Sequence, residues 1–338
     1  MRVIRGLCVS LFCCALFVSP CWAASEPLSA LQTDLLNAVQ SGEYDDLTVG
    51  QLRELLEKQH AQTCAPQCEN LEEPLITRSV VDQRLTSENL ASRLPFSIIP
   101  HKRNYLLPVT YNSHVNSEPF EVDDEDMDRF EVKFQFSFKV PVWQNVIGNA
   151  DLWAAYTNLS FWQAYNQPFS SPFRETNHEP ELFLTIENDT KIFGLTNSLI
   201  LIGLNHQSNG QGGTLSRSWN RLYLNFILDR DDFVLSFSPW YRFEEDRDDD
   251  DNPDIDKYLG YGEIKFGYKW DQHVFSVMLR NNLRQHGNKG AVQVDWTFPL
   301  TSQLKGYVQY FNGYGESLID YNASSNRIGF GVVLSDLF

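Results

Sequence analysis

The sequence predicts an all-β protein, a twelve-stranded antiparallel transmembrane β-barrel with a short helical N-terminal appendage. Three observations predict it. From about Tyr105 to the C-terminus, apolar and polar side chains alternate with a period of two in many short runs. The connections between those runs are alternately long and short, as in outer-membrane barrels, which carry long loops on one side and tight turns on the other. Aromatic residues stand near run ends at Trp143, Trp240, Tyr241, Trp270 and Trp296, and the chain closes on Phe338; such side chains favour a membrane interface.

Arg2 and Arg5 precede a mostly apolar run from Gly6 to Val18, then Pro20 and the small residues Ala23 and Ala24. This is the pattern of a secretory signal peptide over 1–23, and the run is too short to span a bilayer. Only Cys64 and Cys68 of the six cysteines lie beyond it. In an exported chain they suggest one local disulfide, since no further ligands stand at metal-site spacing. Residues 24–103 form an N-terminal extension. Leu28, Leu31, Leu35, Leu36 and Val39 have helical spacing, as do Leu52, Leu55 and Leu56 after a Thr48 to Gln51 capping pattern. Residues 61–103 read as irregular and polar.

The barrel is predicted over 104–338. Phe130, Val132, Phe134, Phe136, Phe138 and Val140 alternate with Glu131, Lys133, Gln135, Ser137 and Lys139, which makes a strand apolar on one face and charged on the other. Similar runs recur around Leu184, Ile202, Leu224, Leu235, Phe266, Val277, Val294 and Phe330, with weaker ones near Tyr105, Leu152 to Tyr156 and Val308. The long connections fall near 112–129, 164–178, 206–219, 243–259, 280–289 and 313–326. Tight turns fall at Asp229 to Asp232, Asp271 to His273 and Pro299 to Gln303, and two earlier turns look looser. No later segment holds eighteen consecutive apolar residues, so an exported chain of this kind crosses a membrane only as a closed barrel.

Charge narrows the function. With 27 basic and 44 acidic side chains, a formal charge of -17 repels nucleic-acid backbones. Aromatic content of 13% is too high for a disordered chain.

If the alternation persists to the strand end, His206 and Ser208 share the side of Ile200, Ile202 and Leu204, and Asn220 shares that of Leu222, Leu224 and Phe226. All three then project towards lipid, where polar groups are costly. A hydroxyl, an imidazole and an amide on adjacent strands suit nucleophilic catalysis: Ser208 attacks an ester carbonyl, His206 takes and returns the proton, and Asn220 orients the imidazole. An amide stabilises an imidazolium less than a carboxylate does, so the site needs other charge stabilisation.

His206-Gln-Ser-Asn-Gly followed by Ser216-Arg-Ser-Trp-Asn-Arg-Leu-Tyr resembles the active-site region of the outer-membrane phospholipase A family. Similar stretches are Ser170-Ser-Pro-Phe-Arg-Glu-Thr-Asn, Asp251-Asn-Pro-Asp-Ile and Gly313-Tyr-Gly-Glu-Ser-Leu-Ile-Asp-Tyr-Asn; the resemblance runs from about residue 104 to the C-terminus. It implies a bacterial outer-membrane serine esterase that hydrolyses acyl esters of phospholipids and lysophospholipids, activated by calcium (Ca2+) and reversible homodimerisation, with its site towards the cell exterior. By position it implies Ser208 as nucleophile, His206 as base and Asn220 as third member. Ser216 matches a calcium-binding serine, Gln211 a backbone-carbonyl ligand, and Ser170 a serine from the partner subunit. Gln207 stands where the family often has aspartate, Gln211 where it has arginine, and Asn158 where a dimer-interface glutamine is common.

The acidic run 244–256 lacks the glycine and terminal glutamate of an EF-hand loop and reads as a solvated loop, as does Asp123 to Asp128. Glu131, Lys133, Lys139, Glu263 and Lys265 are expected to form a polar lumen network. His101, His114 and His178 show no ligand spacing. The alternative function is a passive porin whose polar interior conducts.

Overall fold

Each alternating run becomes a strand: β1 (Asn104–Asn112), β2 (Phe130–Ile147), β3 (Ala150–Trp162), β4 (Phe173–Ile192), β5 (Leu195–Ser208) and β6 (Ser218–Arg230). The second half supplies β7 (Phe233–Arg242), β8 (Gly262–Trp270), β9 (His273–Asn281), β10 (Gly290–Pro299), β11 (Lys305–Tyr314) and β12 (Ser324–Ser335). Every strand pairs antiparallel with its neighbours, and β12 returns to β1 through Phe330 opposite Val109 and Arg327 opposite Asn112. The barrel is therefore closed, and no edge is left with unpaired backbone groups. The structure, a computed structural model, describes residues 79–123, 126–246, 250–301 and 304–337. The signal peptide, the helical spacing over 27–60 and the Cys64 to Cys68 pair lie outside the described residues.

The distribution of side chains is the reverse of a water-soluble protein. On β2, Phe136 and Phe138 are 47% and 40% exposed, whereas Glu131 and Lys133 are 0% and 2% exposed. An outer wall of apolar side chains is stable against hydrocarbon, which places this barrel in a membrane. Among the described residues no helix is long and apolar enough to cross one; the strands do so.

The lumen is packed. Arg174 Nε lies 2.6 Å from Glu131 Oε1 and its Nη1 2.7 Å from Asp320 Oδ2. Arg327 bridges Glu131 at 2.7 Å and Glu316 at 3.0 Å, and Lys133 adds a 2.9 Å contact to Glu316. Arg174, Arg327 and Lys133 all stand over the buried Phe161 ring. Charges removed from water need this degree of mutual pairing. Lys265, by contrast, leaves its side chain 52% exposed beside Glu263.

Three features depart from the sequence expectations. The two early turns, Gly148–Asn149 and Phe193–Gly194, are as tight as the later ones, because β2 and β4 extend to Ile147 and Ile192. Trp240 is not part of the outer aromatic belt. It is 9% exposed and packs edge-on to the inward Trp219, while its neighbour Tyr241 takes the outward position. Lastly, the stretch 61–103 holds a helix, α1 (Val80–Ser92), capped by Ser79, whose hydroxyl accepts from Asp82 N–H.

Helix α1 closes the tight-turn end of the lumen. Its Val80 and Val81 pack on Val234, and Leu85 and Ala91 pack against the inward cluster of Trp153, Phe183, Leu199 and Leu201. Arg84 donates to the carbonyls of His101 and Leu337 at 2.8 Å each. Glu88 lies 2.6 Å from Lys139 Nζ. Burial alone would raise the Glu88 carboxyl, but Lys139 and Arg84 beside it hold it below the usual range.

Candidate active site

The alternation continues to the end of β5. Leu201, Gly203 and Asn205 are buried, whereas Ile202 and Leu204 are 37% and 50% exposed, so His206 and Ser208 follow on the outer face. On β6, Trp219 turns inward at 1% exposure and Asn220 outward with Leu222. His206 and Asn220 are direct partners across the ladder. The His206 Nδ1 lies 2.8 Å from Asn220 Oδ1. A carbonyl oxygen only accepts, so Nδ1 carries the proton, and in the neutral imidazole Nε2 is the acceptor. Ser208 stands two residues along the same face, paired with His178 on β4 and Ser218 on β6. Its hydroxyl makes no hydrogen bond to another described residue. Asn220 Nδ2 donates to Glu245 Oε1 at 2.8 Å, a contact that spacing did not reveal.

Gln207 points the other way and accepts from Trp219 Nε1 at 2.9 Å. The amide in place of an acid thus sits on the lumen side of the strand, across the wall from Ser208. Beyond β5 the chain makes a loop closed by the buried Asn209. Its Oδ1 accepts from the N–H groups of Gln211 and Arg217 at 3.2 and 3.0 Å, and its Nδ2 donates to the Leu215 carbonyl at 2.8 Å. The loop needs glycine at Gly210 and Gly213, whose φ values of +66° and +64° L side chains rarely adopt.

Ser216 and Gln211 belong to this loop. Ser216 Oγ donates to Asp251 Oδ2 at 2.6 Å, and Asn252 Oδ1 accepts from Ser218 N–H at 3.0 Å. The acidic connection after β7 is thus not simply solvated: Glu245, Asp251 and Asn252 dock on the site. The Asp251-Asn-Pro-Asp-Ile stretch is the feature of the sequence that signals this docking. Ser170 is elsewhere, exposed on the connection from β3 to β4 with φ +60°, and its hydroxyl has no hydrogen-bond partner among the described residues. Asn158 also faces outward on β3, opposite His178, and accepts from Ser160 Oγ at 3.0 Å. His178 in turn lies 2.6 Å from the Tyr156 hydroxyl. No group of three or more His, Cys, Asp or Glu side chains suited to a metal occurs among the described residues.

A closed barrel with an apolar outer wall defines an integral membrane protein, and this one carries His206, Ser208 and Asn220 on that wall. The comparisons give that class its family. The family model for phospholipase A1 matches residues 81–334. The phospholipases A1 of Klebsiella pneumoniae and Escherichia coli are each 41% identical over 247 residues, covering 72% of this chain and 84% and 83% of theirs. The structure of outer membrane phospholipase A from Escherichia coli superposes with a TM-score of 0.68 at 40% identity, covering 73% of this chain and 95% of that one. A crystal structure of the Salmonella typhi outer membrane phospholipase dimer with bound calcium gives 0.67 at 40% identity, covering 72% and 94%. The chain belongs to the phospholipase A1 family and is an outer-membrane β-barrel enzyme that hydrolyses acyl esters.

Proposed function

We propose that the chain is a calcium-dependent phospholipase A that cleaves acyl esters of phospholipids and lysophospholipids through Ser208, His206 and Asn220, and that dimerisation activates it. The observation that carries this reading is the 2.8 Å contact between His206 Nδ1 and Asn220 Oδ1 on the lipid-facing wall, beside Ser208. His206 Nε2 accepts the Ser208 proton as Oγ forms a bond to the ester carbonyl carbon. The tetrahedral adduct collapses, the C–O bond to the glycerol side breaks, and His206 returns the proton to the leaving alkoxide. Water then repeats the sequence on the acyl-serine and releases a fatty acid. Asn220 holds the imidazole in register throughout.

Calcium fits the donors beside the site. Ser216 Oγ and the Asp251 carboxylate are hard oxygen ligands already within 2.6 Å of each other, and Gln211 would add its carbonyl. Ser170 would come from the partner subunit, which accounts for its exposure and lack of a partner in one chain. When bound, the ion supplies positive charge near the developing oxyanion, which an amide third member cannot offset.

The long loops, and with them the active site, face the cell exterior, so the substrate is phospholipid that has reached the outer leaflet. A lone barrel offers its acyl substrate only one wall. A second copy would furnish the other and complete the calcium sites, which makes activity depend on encounter. The packed lumen argues against the porin alternative, since Glu131, Lys133, Arg174 and Arg327 fill the interior with ion pairs. The test is fatty-acid release from mixed micelles by wild type and Ser208→Ala, each with and without a calcium chelator. Release by Ser208→Ala at the wild-type rate would sink the proposal. Equal activity of dilute monomer and cross-linked dimer would remove its dimerisation half.

A further inference from the structure

Asn220 has two ends, and the site uses both. Its Oδ1 faces His206 and its Nδ2 faces Glu245, each at 2.8 Å. Glu245 lies three residues beyond the end of β7, and the chain there is tied back to the site: Phe243 N–H donates to the Asn220 carbonyl at 2.9 Å. Arg242, three residues before it, is turned away onto Asp250 at 2.6 and 2.7 Å. Glu244 and Asp246 are exposed, so Glu245 is the carboxylate that meets the triad among the described residues.

An amide rotated by half a turn would present Nδ2 to the imidazole and Oδ1 to the carboxylate. Two oxygens would then face each other with no hydrogen between them, and His206 Nδ1 would have to accept, leaving Nε2 protonated and useless as a base. A carboxylate acceptor at the far end makes that rotamer costly, because a hydrogen bond to an ionised group is roughly twice as strong as a neutral one. The same argument explains an amide at this position. An amide can accept from His206 and donate to an anion at once, whereas an aspartate would meet Glu245 oxygen to oxygen.

We propose that Glu245 is a positioning residue for the hydrolysis: its carboxylate pins the Asn220 amide, through it fixes the proton on His206 Nδ1, and places negative charge one hydrogen bond behind the triad. The proposal rests on the Ser208, His206 and Asn220 reading.

The experiment uses the full chain in mixed micelles with calcium. Glu245→Ala is expected to lower kcat about 10-fold with KM unchanged, and Glu245→Gln only about 3-fold, because Gln keeps an acceptor oxygen and loses only the charge. In an Asn220→Ala background, Glu245→Ala is expected to change kcat less than about 2-fold, since coupled residues are not additive. Asn220→Asp is expected to be rescued in part by Glu245→Gln. All variants should keep the heat-modifiable electrophoretic mobility of a folded barrel. Wild-type kcat in Glu245→Ala, or an equal loss with and without the Asn220 side chain, overturns the proposal. Ser208→Ala, run beside them, tests the triad reading separately.

Discussion

His206 and Asn220 face each other across the β5–β6 ladder, and their side chains meet 2.8 Å apart on the wall that touches lipid. Two polar side chains would not be left there without a task, because an unpaired polar group in hydrocarbon costs several kcal/mol. Removing the amide leaves the imidazole free to rotate and to change tautomer. Asn220→Ala is expected to lower kcat about 10²-fold, and His206→Ala by more, with the barrel intact by gel mobility. Esterase activity of His206→Ala close to wild type would refute the base assignment.

Ser216 and Asp251 come from connections 35 residues apart in sequence and share a hydrogen bond. If they hold calcium together, Asp251→Ala is expected to raise the calcium concentration for half-maximal activity about 10-fold, with the maximal rate recovered at saturating calcium. An unchanged calcium requirement would remove Asp251 from the ion's surroundings.

Glu131 sits between Arg174 and Arg327 with no exposure to water. Glu131→Ala leaves two buried guanidinium groups short of a partner and is expected to cost about 3–5 kcal/mol. Urea unfolding of the micelle-embedded barrel, followed by gel mobility, measures this. Glu131 points into the lumen whereas Ser208 lies on the outer face, so the specific activity of the folded fraction should hold.

Glu316 lies in the loop after β11. Burial alone would raise its carboxyl, yet Arg327 and Lys133 hold it down to about 2. A carboxyl depressed in the folded state contributes stability above its unfolded value near 4.5, and that contribution is lost as pH falls towards about 2. Wild-type barrel stability should therefore decline across this range, and the decline should flatten in Glu316→Gln. An acid-unfolding slope identical in the two proteins would contradict the pairing.

Glu88 anchors α1 to the wall through Lys139, which also stands 4.7 Å from the Trp153 ring centre. Glu88→Ala strands the ammonium and should destabilise the fold by about 3 kcal/mol. Glu88→Ala with Lys139→Met should recover most of the loss; failure of the pair to do so would mean that α1 is held mainly by Leu85 and Ala91.

Strand number, the facing of each strand and the shared side of His206, Ser208 and Asn220 were legible in the sequence. All follow from a local rule, since a strand repeats every two residues and needs no knowledge of its neighbours. Helix α1 was not legible, because its apolar residues Val80, Val81, Leu85 and Ala91 make no regular stripe and its hold depends on Arg84 and Glu88 finding distant partners. The docking of Glu245 and Asp251 was hidden for a related reason. Loops carry no periodicity, and their contacts exist only once barrel closure brings remote connections to one end. The sequence by itself determined which side chains line the wall, as alternation is set by backbone geometry. Only the tertiary structure decided which charges neutralise one another in the lumen and which carboxylates reach the site, since those pairings depend on distances that no local pattern encodes.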